Sequence, residues 1–175
     1  MNSFTDLLKT RRSIRKYLPN KIEPDKIKQI TSAALMSPAS KRSNPWEFIV
    51  VQSTEMLDKL SGCRPYGSQL LANAPLAIVV IADTSKSDVW VEDASISAII
   101  IQLEAQSLGL GSCWVQVRNR YKDENTETQE FIRTLLDIPS QYCVLNIISI
   151  GYPNEDKKPF DEEKLAFDKI HVEKF

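Results

Sequence analysis

The stretch VWVEDASISAIIIQLEAQSLGLGSCWVQ, Val89 to Gln116, decides the fold class. Its first two-thirds predicts one long helix, Val89 to about Leu108, apolar on most sides through Ile96, Ile99, Ile100, Ile101 and Leu103. Such a helix belongs in a core or at a subunit interface. Gly109 supplies its C-terminal stop, and Ser112 to Val117 reads as a strand. Two glycines one residue apart thus leave a helix and enter a strand. A Rossmann dinucleotide site needs the opposite order, strand first and helix after, so Gly109-Leu110-Gly111 is not one. Membrane insertion would leave Glu92, Asp93 and Glu104 in hydrocarbon, with Gln102 and Gln106 beside them. The segment is therefore a buried helix of a soluble protein.

Outward from this stretch, helices and strands interleave. Ser3 and Asp6 form a capping box for a short helix whose Phe4, Leu7 and Leu8 share a face. A second helix starts at Pro24, carries Ile27, Ile30, Ala34 and Leu35 at helical spacing, and is stopped by Pro38. Phe48 to Val51 is a short strand, Ser53 opens a helix through Leu60, and Ala77 to Ala82 is a buried strand. Downstream, Thr126 to Leu136 is an amphipathic helix ended by Pro139, and Cys143 to Ile150 is a strongly apolar strand ended at Gly151-Tyr152-Pro153. Two helices precede any strand. That order predicts α+β, a central sheet with helices around it.

The composition bounds the function. The 175 residues suit one domain at about 150 residues each. With 22 Lys+Arg against 23 Asp+Glu, the net charge is −1, which argues against a dedicated nucleic-acid binder. Cys63, Cys113 and Cys143 form no close pair, so neither a disulfide framework nor a CxxC zinc site is expected. The first residues, MNSFTDLLKTRRSIRKY, lack the apolar core of a signal peptide. The expectation is a single-domain protein of a reducing, cytoplasmic compartment. His171 is the sole histidine and lies near the C-terminus, so a hydrolase triad is not expected. HExxH, GxSxG and GxxxxGK[ST] are absent. Cys113 is expected to be a small buried hydrophobe rather than a nucleophile.

Two further constellations remain. Lys9, Arg11, Arg12, Arg15 and Lys16 crowd into eight positions around Ser13. Like charges this close are either a solvated face or an anion site, since guanidinium forks and a hydroxyl suit phosphate oxygens. The loop Ser37-Pro38-Ala39-Ser40-Lys41-Arg42-Ser43-Asn44-Pro45-Trp46 is built of small and polar residues. It is either a connector with Trp46 as an anchor or a place where backbone approaches a flat ligand. An anion site without a catalytic side-chain set invites a cofactor that brings its own chemistry.

Taken in this order and spacing, the motifs resemble the nitroreductase family of FMN-dependent oxidoreductases. The segments that carry the likeness are Arg11-Arg12-Ser13-Ile14-Arg15, Asn44-Pro45-Trp46-Glu47-Phe48-Ile49-Val50-Val51, Leu108 to Trp114 and Ile150-Gly151-Tyr152-Pro153. The resemblance implies a nitroreductase-like α+β sandwich with a central, mostly antiparallel sheet, formed as an intertwined homodimer with FMN at the subunit interface. Residues 1–175 would be one FMN-binding domain, with 154–175 a tail on the partner subunit. It also implies ping-pong transfer from NADH or NADPH to nitroaromatic, quinone or similar acceptors, with no nucleic acid or membrane as partner. Alternatives within the resemblance are an FMN-binding sensor or store without turnover, and specialised chemistry such as reductive dehalogenation.

Residue by residue, the resemblance implies that Arg11 and Ser13 hold the FMN phosphate with Arg12 beside them. Arg15 would sit near flavin N1 and tune it, since a fixed cation stabilises negative charge that develops there. Pro38, Ala39, Ser40 and Lys41 would lie along the ring and ribityl chain, and Asn44 would hydrogen-bond the pyrimidine edge or the ribityl chain. Val115 and Gln116 would approach N5, and Lys157 or Lys158 would give a late phosphate contact. The chain departs from the family pattern in Arg42, where Asn is common, in Asn44, where Gln is common, and in lacking the late arginine after Pro159.

Overall fold

The structure is a computed structural model and describes residues 3–175. It begins with helix α1, Phe4–Thr10, whose capping box closes as expected: the Asp6 N–H donates to Ser3 Oγ at 3.2 Å and the Ser3 N–H to Asp6 Oδ2 at 3.0 Å. There follow α2, Pro24–Leu35; β1, Trp46–Val51; α3, Thr54–Ser61; β2, Leu76–Asp83; α4, Trp90–Ser107; β3, Gly111–Gln116; α5, Thr128–Leu135; and β4, Tyr142–Gly151. Each expected element is present. Helix α5 stops short of Pro139, because Asp137 turns left-handed at φ 53°.

The four strands form one antiparallel sheet in the order β1-β2-β4-β3. The fold is α+β, as the element order predicts. Strand β2 is buried along its whole length, which explains its continuous apolar run. On one sheet face, Ile30 and Ala34 of α2 and Ala94, Ala98, Ile101 and Ala105 of α4 pack against Leu76, Ile78, Val80, Ile148 and Ile150. On the other, Leu57 and Leu60 of α3 and Ile132 of α5 cover Ala77, Val79, Ile81, Val144 and Ile147. Helix α4 turns its small residues to the core, while Ile96 and Ile99 stay exposed.

The two glycines after α4 have separate tasks. Gly109, at φ 76°, ends the helix in the left-handed region that favours glycine. Gly111 lets the incoming N-terminal segment lie flat on the edge strand: Ser13 bridges Ser112 in parallel, and Ile14 N–H donates to Ser112 O at 3.0 Å. The segment is pinned again by buried Tyr17, whose hydroxyl donates to Ile14 O at 2.6 Å and shares a 2.7 Å hydrogen bond with Ser149 Oγ. The end of the chain returns along the same residues. Leu18 N–H donates to Tyr152 O, Asn154 N–H to Lys16 O and Phe160 N–H to Lys9 O, each at 2.9 Å. Residues 154–162 therefore lie on their own chain. Beyond them, Leu165, Phe167, Ile170, Val172 and Phe175 are exposed.

Candidate functional site

Folding this way gathers the basic run and the chain end into one cleft. Arg11, Arg12, Ser13, Arg15, Lys157 and Phe160 line about 310 Å³ beside the start of β3. Among the described residues, neither Arg11 nor Arg15 has a carboxylate within 4 Å. Arg12 is held, its Nη1 donating to the Lys158 carbonyl and its guanidinium lying 5.0 Å over the Phe160 ring. Of the two late lysines it is Lys157 that lines the cleft, while Lys158 offers its backbone oxygen to Arg12.

Glu155 is a part of this cleft's frame that the motifs do not reveal. Its carboxylate accepts the Arg15 N–H at 2.5 Å and the Lys16 N–H at 3.3 Å, and pairs with Lys157 Nζ at 2.9 Å. These contacts, the Arg15 N–H foremost, hold its carboxyl below the usual range. Cys113, facing Ser13 and Arg15, is buried, and burial raises its thiol. As expected from the sequence, it is a core residue rather than a thiolate nucleophile.

Strand β3 is an edge strand, so one side of it is free of sheet pairing. Ser112 O faces that side to meet Ile14, and by antiparallel alternation Trp114 and Gln116 turn their N–H and C=O groups the same way. The Gln116 carbonyl there accepts Arg64 Nη1 at 3.1 Å, another contact without a sequence signal. The Gln116 side chain is committed internally, accepting Trp114 Nε1 and donating to Arg118 O, both at 2.8 Å. Val115 lies between them with its side chain in the core and its backbone turned to β4. Gln116 thus offers its backbone N–H to the open edge. About 3.3 Å per residue puts it roughly 13 Å along β3 from Ser112.

The loop with Pro38, Ala39, Ser40, Lys41 and Asn44 lies elsewhere. It feeds β1, which pairs at Trp46 with Ala82 on the sheet's far edge, and Asp83 N–H donates to Pro45 O at 2.8 Å. Three strand spacings of about 4.8 Å put β1 roughly 14 Å from β3. The loop also sits at the opposite sheet end from Ser112, since Trp46 shares the end of Tyr142 and Gln116. Its backbone is costly to hold: Lys41, Arg42 and Asn44 all have positive φ, at 53°, 56° and 42°. Buried Asp93 secures it, accepting the Ser40 N–H at 2.8 Å with one oxygen and the Ser87 hydroxyl at 2.8 Å with the other. Lys41 pairs with Asp88 at 3.6 Å on the surface. Ser37 Oγ, Ser43 Oγ and Trp46 Nε1 are buried in and beside this loop without hydrogen-bond partners, as are Thr128 Oγ1, Arg133 Nε and the Asn146 amide elsewhere in the chain.

One chain therefore presents two separate regions, a cationic cleft beside the edge strand β3 and a strained polar loop at the other end of the sheet. Among the described residues no helix is long and apolar enough to cross a membrane, and no three His, Cys, Asp or Glu side chains cluster as metal ligands.

Comparison with known proteins places this fold. The profile of the nitroreductase family matches residues 8–63 and 62–152. A protein of Archaeoglobus fulgidus with the provisional name NADH dehydrogenase/NAD(P)H nitroreductase is 38% identical over 180 residues, covering 100% of both chains. The solved structure of an FMN-dependent nitroreductase from Clostridium difficile R20291 is 54% identical, covers 97% of this chain and 98% of its own, and superposes with a TM-score of 0.95. A Parabacteroides distasonis structure, provisionally named NADH dehydrogenase/NAD(P)H nitroreductase, is 32% identical with full coverage of both (100% each) and a TM-score of 0.90. With the profile spanning the sheet, the arginine run and the loop alike, and with full-length relatives sharing its fold, this chain belongs to the nitroreductase family.

Proposed function

We propose that the protein is an FMN-dependent oxidoreductase that draws electrons from NADH or NADPH and delivers them, in two ping-pong half-reactions, to electron-poor acceptors such as nitroaromatics or quinones. The cleft of Arg11, Arg12, Ser13, Arg15 and Lys157 carries the proposal. Guanidinium, hydroxyl and ammonium donors suit a phosphate ester, and Arg11 and Arg15 meet no carboxylate of their own among the described residues. The donor set fits FMN. FMN, when bound, supplies the redox centre that the side chains lack.

The chain's own residues then have distinct tasks. Arg11 and Ser13 bind the phosphate, and Lys157 adds charge while Glu155 keeps it in place. Arg15, fixed by its backbone contact to Glu155, places a cation where reduction leaves negative charge. Gln116 presents a backbone N–H from the open edge, steadied by Arg64. No side-chain acid or base is required, and protons come from solvent.

The proposal includes a second copy. The loop from Pro38 to Asn44 cannot reach the cleft of its own chain, yet it is held in a strained conformation. In a homodimer it completes the partner's site. Exposed Ile96 and Ile99 on α4 and the apolar tail beyond Glu162 supply surface for that contact. Residues 1–175 then act as one cofactor-binding domain whose tail packs on the partner. Purified protein is expected to be yellow, to sediment as a dimer, and to lose its visible flavin absorbance anaerobically on adding NADH or NADPH. A colourless monomer that does not take up FMN sinks the proposal.

A further inference from the structure

Beyond Gln116 the chain builds a second cleft that the proposed cofactor contacts do not use. It holds about 330 Å³ and is lined by Trp90, Arg118, Asn119, Arg120, Tyr121, Glu127, Gln129 and Cys143. Its construction begins in β4, where a bulge opposite Val80 and Ile81 leaves Leu145 out of register. On the β3 side, the Leu145 carbonyl accepts both the Val117 N–H at 3.3 Å and the Arg118 N–H at 3.0 Å. This ends β3 and redirects the chain, as bulges beside functional sites do. A tight turn follows, with Arg120 N–H on Val117 O at 3.1 Å and Asn119 left-handed at φ 57°. Thr128 N–H then closes the loop on Arg120 O at 2.9 Å.

The turn brings two guanidiniums to one cleft. Arg118 is half-buried, 5.8 Å over the Trp90 ring, and its carbonyl is fixed by Gln116 Nε2 at 2.8 Å. Arg120 reaches only the Asn119 carbonyl, at 2.8 Å. Among the described residues neither has a carboxylate within 4 Å, although Glu127 lines the same cleft. A half-buried arginine on an indole face, with a second beside it and neither paired to the Glu127 carboxylate, is arranged to receive an oxyanion. Trp90 and Tyr121 add aromatic walls for a flat ring. Arg118 lies two residues beyond Gln116, whose side-chain amide holds the Arg118 carbonyl, so the cleft adjoins the candidate cofactor edge.

We propose that this cleft recognises an oxyanion carried on a planar ring, and so selects the molecule that meets the cofactor. The inference rests on the oxidoreductase proposed above. A carboxylated aromatic acceptor and the phosphate-bearing nicotinamide dinucleotide share this chemistry. Equilibrium dialysis of the purified protein with 4-nitrobenzoate, nitrobenzene, NADH and NADPH separates them, for the native chain, Arg120→Gln and the Arg118→Gln/Arg120→Gln pair. Melting curves check that each variant folds. Arg120 is exposed and its side chain bonds the neighbouring Asn119 carbonyl, so its single variant stays informative if the pair unfolds.

The expected result is about a tenfold loss of affinity in the double variant for 4-nitrobenzoate, or for the dinucleotides, with nitrobenzene unchanged. A loss confined to 4-nitrobenzoate assigns the cleft to the acceptor, and one confined to the dinucleotides assigns it to the donor. Equal affinities in native and variant chains, or an equal loss for nitrobenzene, overturn the proposal. Because binding is read without turnover, a protein that binds 4-nitrobenzoate through these arginines but is never reduced by NADH or NADPH contradicts only the oxidoreductase.

Discussion

A β-carbon placed on Gly111 would lie 2.7 Å from the Ile14 β-carbon. No rotamer relieves that clash, because both atoms are fixed to backbone. The arginine run can lie on β3 only because position 111 has no side chain. Gly111→Ala is therefore expected to lift residues 13–15 off the edge strand. The cost is about 1–3 kcal/mol of stability, as for other overpacked sites, with weakened FMN retention alongside. Thermal melting and flavin titration check both effects.

Arg11 and Arg15 line the same cleft, yet their expected roles differ. Arg11→Ala removes a charge-assisted phosphate contact and is expected to weaken FMN binding by ~1.5–3 kcal/mol, roughly ten- to a hundredfold. Arg15→Ala is expected to lower the flavin reduction potential more than it loosens binding. Dialysis and spectroelectrochemical titration of the two variants decide; matching changes in both quantities contradict the division.

Asp93 satisfies two donors with one buried carboxylate, the Ser40 N–H and the Ser87 hydroxyl. In Asp93→Ala both lose their acceptor, at about 1–3 kcal/mol for each buried group left unpaired. Residues 39–44 then relax from their left-handed conformations. Faster amide hydrogen exchange across the loop is expected, with a lowered melting temperature. Asp93→Asn, which keeps one acceptor oxygen, should show a smaller effect.

The contacts of Glu155 make the chain end sensitive to acid. Its folded pKa is depressed by the Arg15 N–H and Lys157, so the stabilisation is complete above the ordinary glutamate value of about 4.3. It is lost as pH falls through the lower folded value. Residues 154–158 are expected to lose protection from amide exchange, measured against the intrinsic rate at each pH, below about pH 4. Glu155→Gln should show the lowered protection already at neutral pH and little further change on acidification.

Elements with local signals were legible in the sequence. The Ser3–Asp6 box, Pro24 at a helix start, Gly109 at a helix end and the apolar runs of β2 and β4 each act within a few residues. So was most of the cationic composition of the cleft, because Arg11, Arg12 and Arg15 lie within one short run, whereas Lys157 joins them from the chain end. The contacts that organise the site were not legible. Asp93 meets Ser40 across 53 positions, Arg64 meets Gln116 across 52, and Glu155 meets Arg15 across 140. Such pairs depend on strand order and leave no periodicity. The left-handed Lys41 and Arg42 were equally hidden, since neither residue type favours that conformation and only the Asp93 anchor and the surrounding packing hold it.

The separation of the arginine run from the Pro38–Asn44 loop has a genetic consequence. In the proposed pair each polypeptide lends its loop to one centre and its arginines to the other. Two alleles, one crippled at Arg11 and one in the loop, would each be inert alone. Co-expressed, they yield hybrids in which both lesions fall on a single centre while the other is assembled from wild-type halves, so two dead genes together restore a living activity.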